Sequence, residues 1–320
     1  MARLASREPG HQGFGAKLLP MRPRDVIELL LLSLLWGAAY LFMRAAVPAF
    51  GPAPLVALRL GIAALMLLPL LALRGGLPSL RAKPGPLLLL GVPLTALPFM
   101  LLAYGSLHIT AGLVAVLNAT APLFAAIVAH HYFKERLGRW RAAGLVIGFA
   151  GVAALMWGHA SFKSASGLLA VAAVLGASMI WGISGNFARR HLSGLDPLAI
   201  TVGSLLAASL SLAPLAWLQW PAQAPGARAW AEVLFLGVAS SGLGFLMYFR
   251  LLRRIGPVRA MSVTFLNPVV AIVAAAFYLD EPVTLQTLAG GAVVLLGTAL
   301  SLGLVGLKGP IERPASGING

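Results

Sequence analysis

Ser33-Leu34-Leu35-Trp36-Gly37, followed by Arg44, recurs as Ser178-Met179-Ile180-Trp181-Gly182, followed by Arg189, at a shift of 145 residues for every matched position. Further along, Pro122, Glu135, Gly144 and Gly151 recur as Pro268, Glu281, Gly290 and Gly297, at a shift of 146. Shared apolar composition aligns Leu with Ala by accident, but not Trp-Gly, Pro and Glu. The chain therefore reads as a duplication. What the duplication builds depends on how often each copy crosses a membrane.

Of the 320 residues, 59% are hydrophobic and only 10% are charged, whereas a soluble domain carries about a quarter charged. A soluble protein needs a polar surface whatever its core, so the deficit places the chain in lipid. Ten apolar runs of spanning length are read at 26–47, 54–73, 86–107, 110–132, 142–159, 165–188, 197–219, 229–250, 256–279 and 284–306. Gly51-Pro52, Pro84-Gly85 and Pro225-Gly226 punctuate the breaks. Residues 1–24 read as a disordered cytoplasmic tail without a cleavable signal, with Met21 as an alternative start, and 307–320 as a cytoplasmic C-terminal tail. The halves are then 25–159 and 165–306, five spans each. An odd number of spans inserts the second copy upside down, and inverted repeats are a device for alternating access.

The 24 Lys and Arg test the span count. With the N-terminus inside, 20 of them fall in cytoplasmic segments, Arg44, Lys163 and Arg228 fall opposite, and Arg59 lies within a span. That asymmetry predicts both termini on the cytoplasmic side of a bacterial-type inner membrane. The same distribution explains the net charge of +15 without nucleic acid, because the charges sit in loops that face an anionic leaflet rather than along one face.

Several chemistries are excluded by what is missing. The chain has no cysteine, hence no disulfide and no thiolate metal site. Every Asp and Glu lies at or beyond a span end and the six histidines are peripheral, so no ionisable relay group sits mid-membrane. No HExxH, carboxylate dyad or glycine-rich phosphate loop occurs. No cofactor and no metal is expected.

Candidate cavity residues come from helical spacing. Ser33, Trp36, Gly37, Tyr40 and Arg44 share one face at 100° per residue, as do Ser178, Trp181, Gly182, Gly185 and Arg189. Such a face is either a polar-aromatic wall or a packing seam, since Gly permits close approach. Tyr40 is replaced by Gly185 in the second copy, which suits it to a substrate-specific role. Asn118 stands four residues before Pro122, and Thr264 four before Pro268. Proline removes the hydrogen bond to the carbonyl four residues back, and freed backbone is tolerated where it lines a wet cavity or is buried in protein. Pro122 and Pro268 are thus candidate helix breaks or gates, with Asn118, Thr264 and neighbouring Asn267 as cavity polar groups. Arg59 either snorkels, meets a structural partner or meets a ligand. Tyr104 and Tyr248 are candidate solute contacts or interfacial anchors. Glu135 and Glu281, which precede spans 5 and 10, read as helix caps. Gly144-xxx-Gly148 and Gly290-Gly291 through Gly297 read as close helix packing that also allows a homodimer.

These residues resemble the EamA family of the drug/metabolite transporter superfamily. The resemblance spans 26 to about 306 and is carried by Trp36-Gly37, Trp181-Gly182, Arg59, Pro122 with Glu135-Arg136-Leu137, and Arg254-Ile255-Gly256-Pro257 leading to Pro268 and Glu281. It implies ten helices, a central cavity lined by spans 1, 3, 4, 6, 8 and 9, and export of small metabolites, amino acids or related amphipathic solutes first among them. Two other readings stand beside it. One is a membrane-embedded enzyme or transporter acting on lipid-linked or sugar substrates, of which the enzyme would rest on His130, His131 and Glu135. A sensor or scaffold would keep the fold without using the cavity polarity.

Overall fold

The computed structural model describes residues 22–134, 137–157 and 164–302. The two tails, Glu135 and Arg136 therefore lie outside the described residues, apart from Arg22 and the first residues of the opening helix. Among the described residues the secondary structure is helical, without strands. Among the described residues, eight helices are long and apolar enough to cross a membrane. They are α1 (Pro23–Phe50), α2 (Pro52–Leu73), α3 (Pro84–His108), α4 (Ala111–Tyr132), α5 (Arg139–Met156), α6 (Ala165–His191), α7 (Pro197–Leu218) and α8 (Ala227–Gly256). Two shorter apolar helices follow, α9 (Val263–Tyr278, 16 residues) and α10 (Leu285–Ser301, 17 residues). Large apolar side chains on outward faces, among them Leu65 at 66% exposure, Val146 at 71% and Phe277 at 87%, meet no protein. Only lipid solvates such a surface at low cost. The chain is a multi-pass membrane protein.

The starts follow local chemistry. Proline fits the first turn of a helix, where an N–H has no partner anyway, and it opens α1, α2, α3 and α7. Thr110, Ser164 and Thr284 cap α4, α6 and α10 by accepting from the backbone N–H three residues on. Span 9 begins later than its apolar run suggests, because Gly256 adopts φ +80° and breaks the helix there. The residues just beyond form a separate turn that ends at Ala260.

The repeat seen in sequence is matched by conformation. A π-helical stretch interrupts α3 at Val92–Ala96 and α8 at Phe235–Leu243, which the repeat shift superimposes. Lys134 and Asp280, 146 apart, are the non-glycine residues with positive φ, 57° and 52°, among the described residues. Helix pairing follows the same rule. Pairs α5–α10 and α2–α7 join equivalent helices, while α1–α9 answers α6–α4 and α3–α6 answers α8–α1. Exchanging the halves leaves this set unchanged.

Side chains at the helix ends fix the relative directions. Arg44, late in α1, donates to the carbonyl of Ser106 late in α3. Lys83, just before α3, donates to the carbonyl of His191, the last residue of α6, at 2.8 Å. Thus α1 runs parallel to α3 and α6 runs antiparallel to it.

The glycine stripes are used inside one chain. A Cβ on Gly297 would lie 2.2 Å from the Gly148 nitrogen, and one on Gly144 would lie 2.6 Å from the Gly297 carbonyl oxygen. These glycines hold α5 against α10 within the protomer, so they are not free for a second copy.

Candidate functional site

A cavity of about 570 Å³ lies between the two halves. It is lined by α1, α3, α4, α6, α8 and α9, and in addition by α2 through Arg59 and by α7 through Ile200, Thr201 and Ser204. Of the residues singled out in the sequence, Trp36, Tyr40, Arg59, Asn118, Pro122, Trp181, Tyr248, Thr264 and Asn267 line it. Tyr104 and Pro268 are not among the lining residues. Tyr104 sets its ring edge-on to His108 at 4.9 Å, and Pro268 is buried within α9.

The Trp-Gly pairs divide their labour. A Cβ on Gly37 would lie 2.9 Å from the Asn267 carbonyl oxygen, and one on Gly182 would lie 2.6 Å from the Ala125 nitrogen. Each glycine seats its helix on the partner half, α1 on α9 and α6 on α4, and leaves the tryptophan facing the cavity. Trp36 donates Nε1–H to the Ser240 carbonyl at 3.0 Å and packs on Phe245 and Tyr248, with ring centroids 5.9 and 5.3 Å away. Trp181 meets Phe99 edge-on at 5.3 Å. Because the Gly182 neighbours are backbone atoms that cannot rotate away, Gly182→Ala should destabilise by about 1–3 kcal/mol. Gly185→Ala, with nothing within 4 Å of the added carbon, should be silent. Melting of the two purified variants in detergent checks the contrast.

The two proline sites diverge. Pro122 follows an interruption of α4, whose helical pieces are Ala111–Asn118 and Ala121–Phe133. The Leu117 carbonyl accepts from the Thr120 hydroxyl at 2.6 Å. The Ser178 and Thr298 hydroxyls, 3.0 and 2.9 Å from the Val174 and Val294 carbonyls of their own helices, also stand 3.2 Å from the Leu117 and Ala119 carbonyls. The Asn118 side chain donates to the Tyr40 hydroxyl at 2.7 Å, joining α4 to α1 across the cavity wall. Around Pro268, by contrast, α9 continues unbroken from Val263 to Tyr278. Thr264 donates to Met261 three residues back at 2.8 Å.

Arg59 is the charged centre of the site. It is 6% exposed. Nε donates to Ser241 Oγ at 2.9 Å, one NH2 proton goes to Ser240 Oγ at 3.3 Å, and the guanidinium lies 4.5 Å over the Phe99 ring. Those serines escaped the sequence reading. Their signal was a tandem Ser-Ser between Gly237 and Gly242 in an otherwise apolar span.

The cavity reaches Arg189, Phe249 and Met261 at the end where α1 begins and α6 finishes. The opposite end is tied shut. Glu281 accepts from the Ala111 N–H at 2.9 Å and stands 3.5 Å from Arg44, whose guanidinium also reaches the Ser106 carbonyl. Sequence reading gave Glu281 to the helix that follows it. The structure gives that cap to Thr284 and sends the carboxylate to the start of α4 instead. Burial pushes the Glu281 carboxyl above the usual carboxylate range, against the pull of the Ala111 N–H and Arg44. At the same end Arg228 pairs with Glu232 at 3.2 Å, and the Tyr278 hydroxyl donates to that carboxylate at 3.4 Å. At the end the cavity reaches, Arg250 stands 3.3 Å from Glu28, and Arg254 bridges Asp25 at 3.2 Å and Glu28, joining α8 to α1.

Comparison with known proteins agrees with this geometry. Residues 25–157 and 168–303 each match the family model described as "EamA-like transporter family". A "Probable terminal-alkyne amino-acid exporter" of Streptantibioticus cattleyicolor is 28% identical over 282 residues, 87% of this chain and 93% of the relative. An uncharacterized transporter of Archaeoglobus fulgidus is 26% identical over 272 residues, 85% of this chain and 96% of the relative. Another from Bacillus subtilis is 28% identical over 312 residues, 95% of this chain and 98% of the relative. A crystal structure sharing 19% identity superposes with a TM-score of 0.65 over 89% of this chain and 98% of the other, which extends the likeness to the fold.

Proposed function

From the premise that the chain belongs to the EamA-like transporter family, we propose that it exports small metabolites, amino acids or related amphipathic solutes, across a bacterial-type inner membrane. The observation that carries this reading is a cavity of about 570 Å³, largely apolar with aromatic walls and a few polar groups, placed between two repeated halves. It is closed at one end by the Arg44–Glu281–Ala111 cluster and reaches the other. A relative named as an amino-acid exporter supports the solute class.

The halves, 25–159 and 165–306, cross the bilayer five times each in opposite senses, with both termini cytoplasmic. Three things support this. The basic residues divide by side as the positive-inside rule requires. Equivalent helices α1 and α6 run in opposite directions against α3. Helix pairing is unchanged when the halves are exchanged. A 16-residue helix such as α9 extends only about 24 Å, a little under the roughly 30 Å hydrocarbon core, and local thinning absorbs that mismatch at small cost. Alternating access then follows from rocking one half against the other around a fixed cavity. The wall residues Trp36, Tyr40, Asn118, Trp181, Tyr248, Thr264 and Asn267 hold the solute.

Reconstituted protein should accelerate counterflow of at least one labelled amino acid. Rates equal to those of protein-free liposomes for a full amino-acid panel would overturn the solute class. Because the chain has no cysteine, single cysteines at Lys134 and Asp280 should react with an impermeant maleimide from opposite sides. Reaction of both from the same side would overturn the inverted arrangement.

A further inference from the structure

Arg59 is a buried cation without a counter-ion. No carboxylate stands within ion-pair distance of it, and none lines the cavity, among the described residues. The contrast with the rest of the chain is direct: Arg44 faces Glu281, Arg228 faces Glu232 and Arg254 faces Asp25. Removing a guanidinium from water is costly unless a charge or full hydrogen bonding compensates. Among the described residues Arg59 meets two neutral hydroxyls and a ring face. A purely structural tie between α2 and α8 needs no charge, since a neutral amide could bond the same serines without that cost. The charge has a purpose only if something else supplies the anion.

The cavity decides where that anion comes from. Arg59 lines it at 6% exposure. A low-dielectric chamber with a buried cation and, among the described residues, no acid in its lining attracts negative groups. A guanidinium fork matches a carboxylate bidentately. Polar side chains elsewhere in the lining, Tyr40, Asn118 and Thr264 among them, are neutral. Around Arg59 the walls are Trp36, Trp181, Phe99 and Tyr248, which suit an apolar or aromatic side chain.

We infer that Arg59 is an anion subsite: the solute carries a free carboxylate that docks on its guanidinium. With no acid to demand a cation, a donor on the solute is met by neutral acceptors, so the carboxylate is required and the ammonium is not. This rests on the transport reading and sharpens its substrate class. It predicts that N-acylated amino acids are accepted and that carboxyl-blocked ones are refused.

The probes are leucine, N-acetyl-leucine and leucinamide, measured in two ways. One is the ligand-induced melting shift of purified protein in detergent, and the other is uptake into proteoliposomes. Wild type should bind leucine and N-acetyl-leucine at least 10-fold more tightly than leucinamide. Arg59→Gln should lose at least 10-fold toward both carboxylates with little change toward leucinamide, and Arg59→Lys should recover part of the loss. Unliganded melting of both variants shows that they fold. Carboxylate-selective binding without transport of any probe supports the subsite and sinks the transport reading. Transport in which leucinamide equals leucine, or in which Arg59→Gln leaves selectivity unchanged, sinks the subsite and leaves transport standing. Failure of all three probes to bind overturns the subsite.

Discussion

Gly297→Leu is expected to prevent recovery of folded protein. The added Cβ alone would lie 2.2 Å from the Gly148 nitrogen, 2.4 Å from its Cα and 2.7 Å from the Gly144 carbonyl oxygen. All three are backbone atoms, so no rotamer change relieves the overlap, and α5 and α10 must separate along their seam. Ordinary overpacking costs about 1–3 kcal/mol because side chains can shift. Here the cost exceeds that range and approaches the whole margin of a typical fold, about 5–15 kcal/mol. Gly148→Ala is the control. Its Cβ would meet Leu123 Cδ1 at 2.5 Å, the far end of a side chain that can turn aside. Monodisperse recovery in detergent should be lost for Gly297→Leu and retained for Gly148→Ala. Equal behaviour of the two would mean that the seam is not as close as described.

Arg44→Ala is expected to open the closed end of the cavity. Arg44 bonds the Ser106 carbonyl and faces Glu281, which in turn holds the Ala111 N–H. One residue thereby joins α1, α3 and the loop between α9 and α10. Hydrogen bonds involving an ionised group contribute about 1.5–3 kcal/mol each. The loss of even one of them should shift the balance toward a form open at that end by about 10- to 100-fold. Ala115 lies one turn into α4 and lines the cavity. Cysteine at Ala115 should therefore label from the closed side at least 10-fold faster when Arg44 is alanine. Glu281→Gln, which keeps a neutral acceptor for Ala111, should give a smaller increase. A labelling rate unaffected by either change would show that this cluster does not hold the end closed.

Particular residues show how far sequence reading reached. Trp36 and Trp181 share a helical face with Gly37 and Gly182 because 3.6-residue periodicity is set by the backbone alone; that the glycines form a seam and the tryptophans line the cavity is decided by packing. Pro122 was read as a break because a missing N–H is a local fact, and α4 is interrupted beside it. The same rule applied to Pro268 met a continuous helix, since neighbouring packing decides whether a proline kinks or is absorbed. Tyr104 shares its residue type with Tyr40 and Tyr248, but its angle about α3 turns it away from the cavity. The reach of α7 into the cavity has no counterpart in the sequence analysis, and α2 enters it only through Arg59. Span order does not say which helices converge at mid-depth.

Lipid solvation, helicity and the duplication were determined by the sequence by itself, because composition, apolar run length and recurrence at a fixed spacing are properties of residues in order. The partners of Arg59, Glu281 and Gly297 were decided only by the tertiary structure. Each is met by groups more than 140 positions away, and whether a charge ends beside a carboxylate, a helix start or an open cavity depends on how distant helices pack.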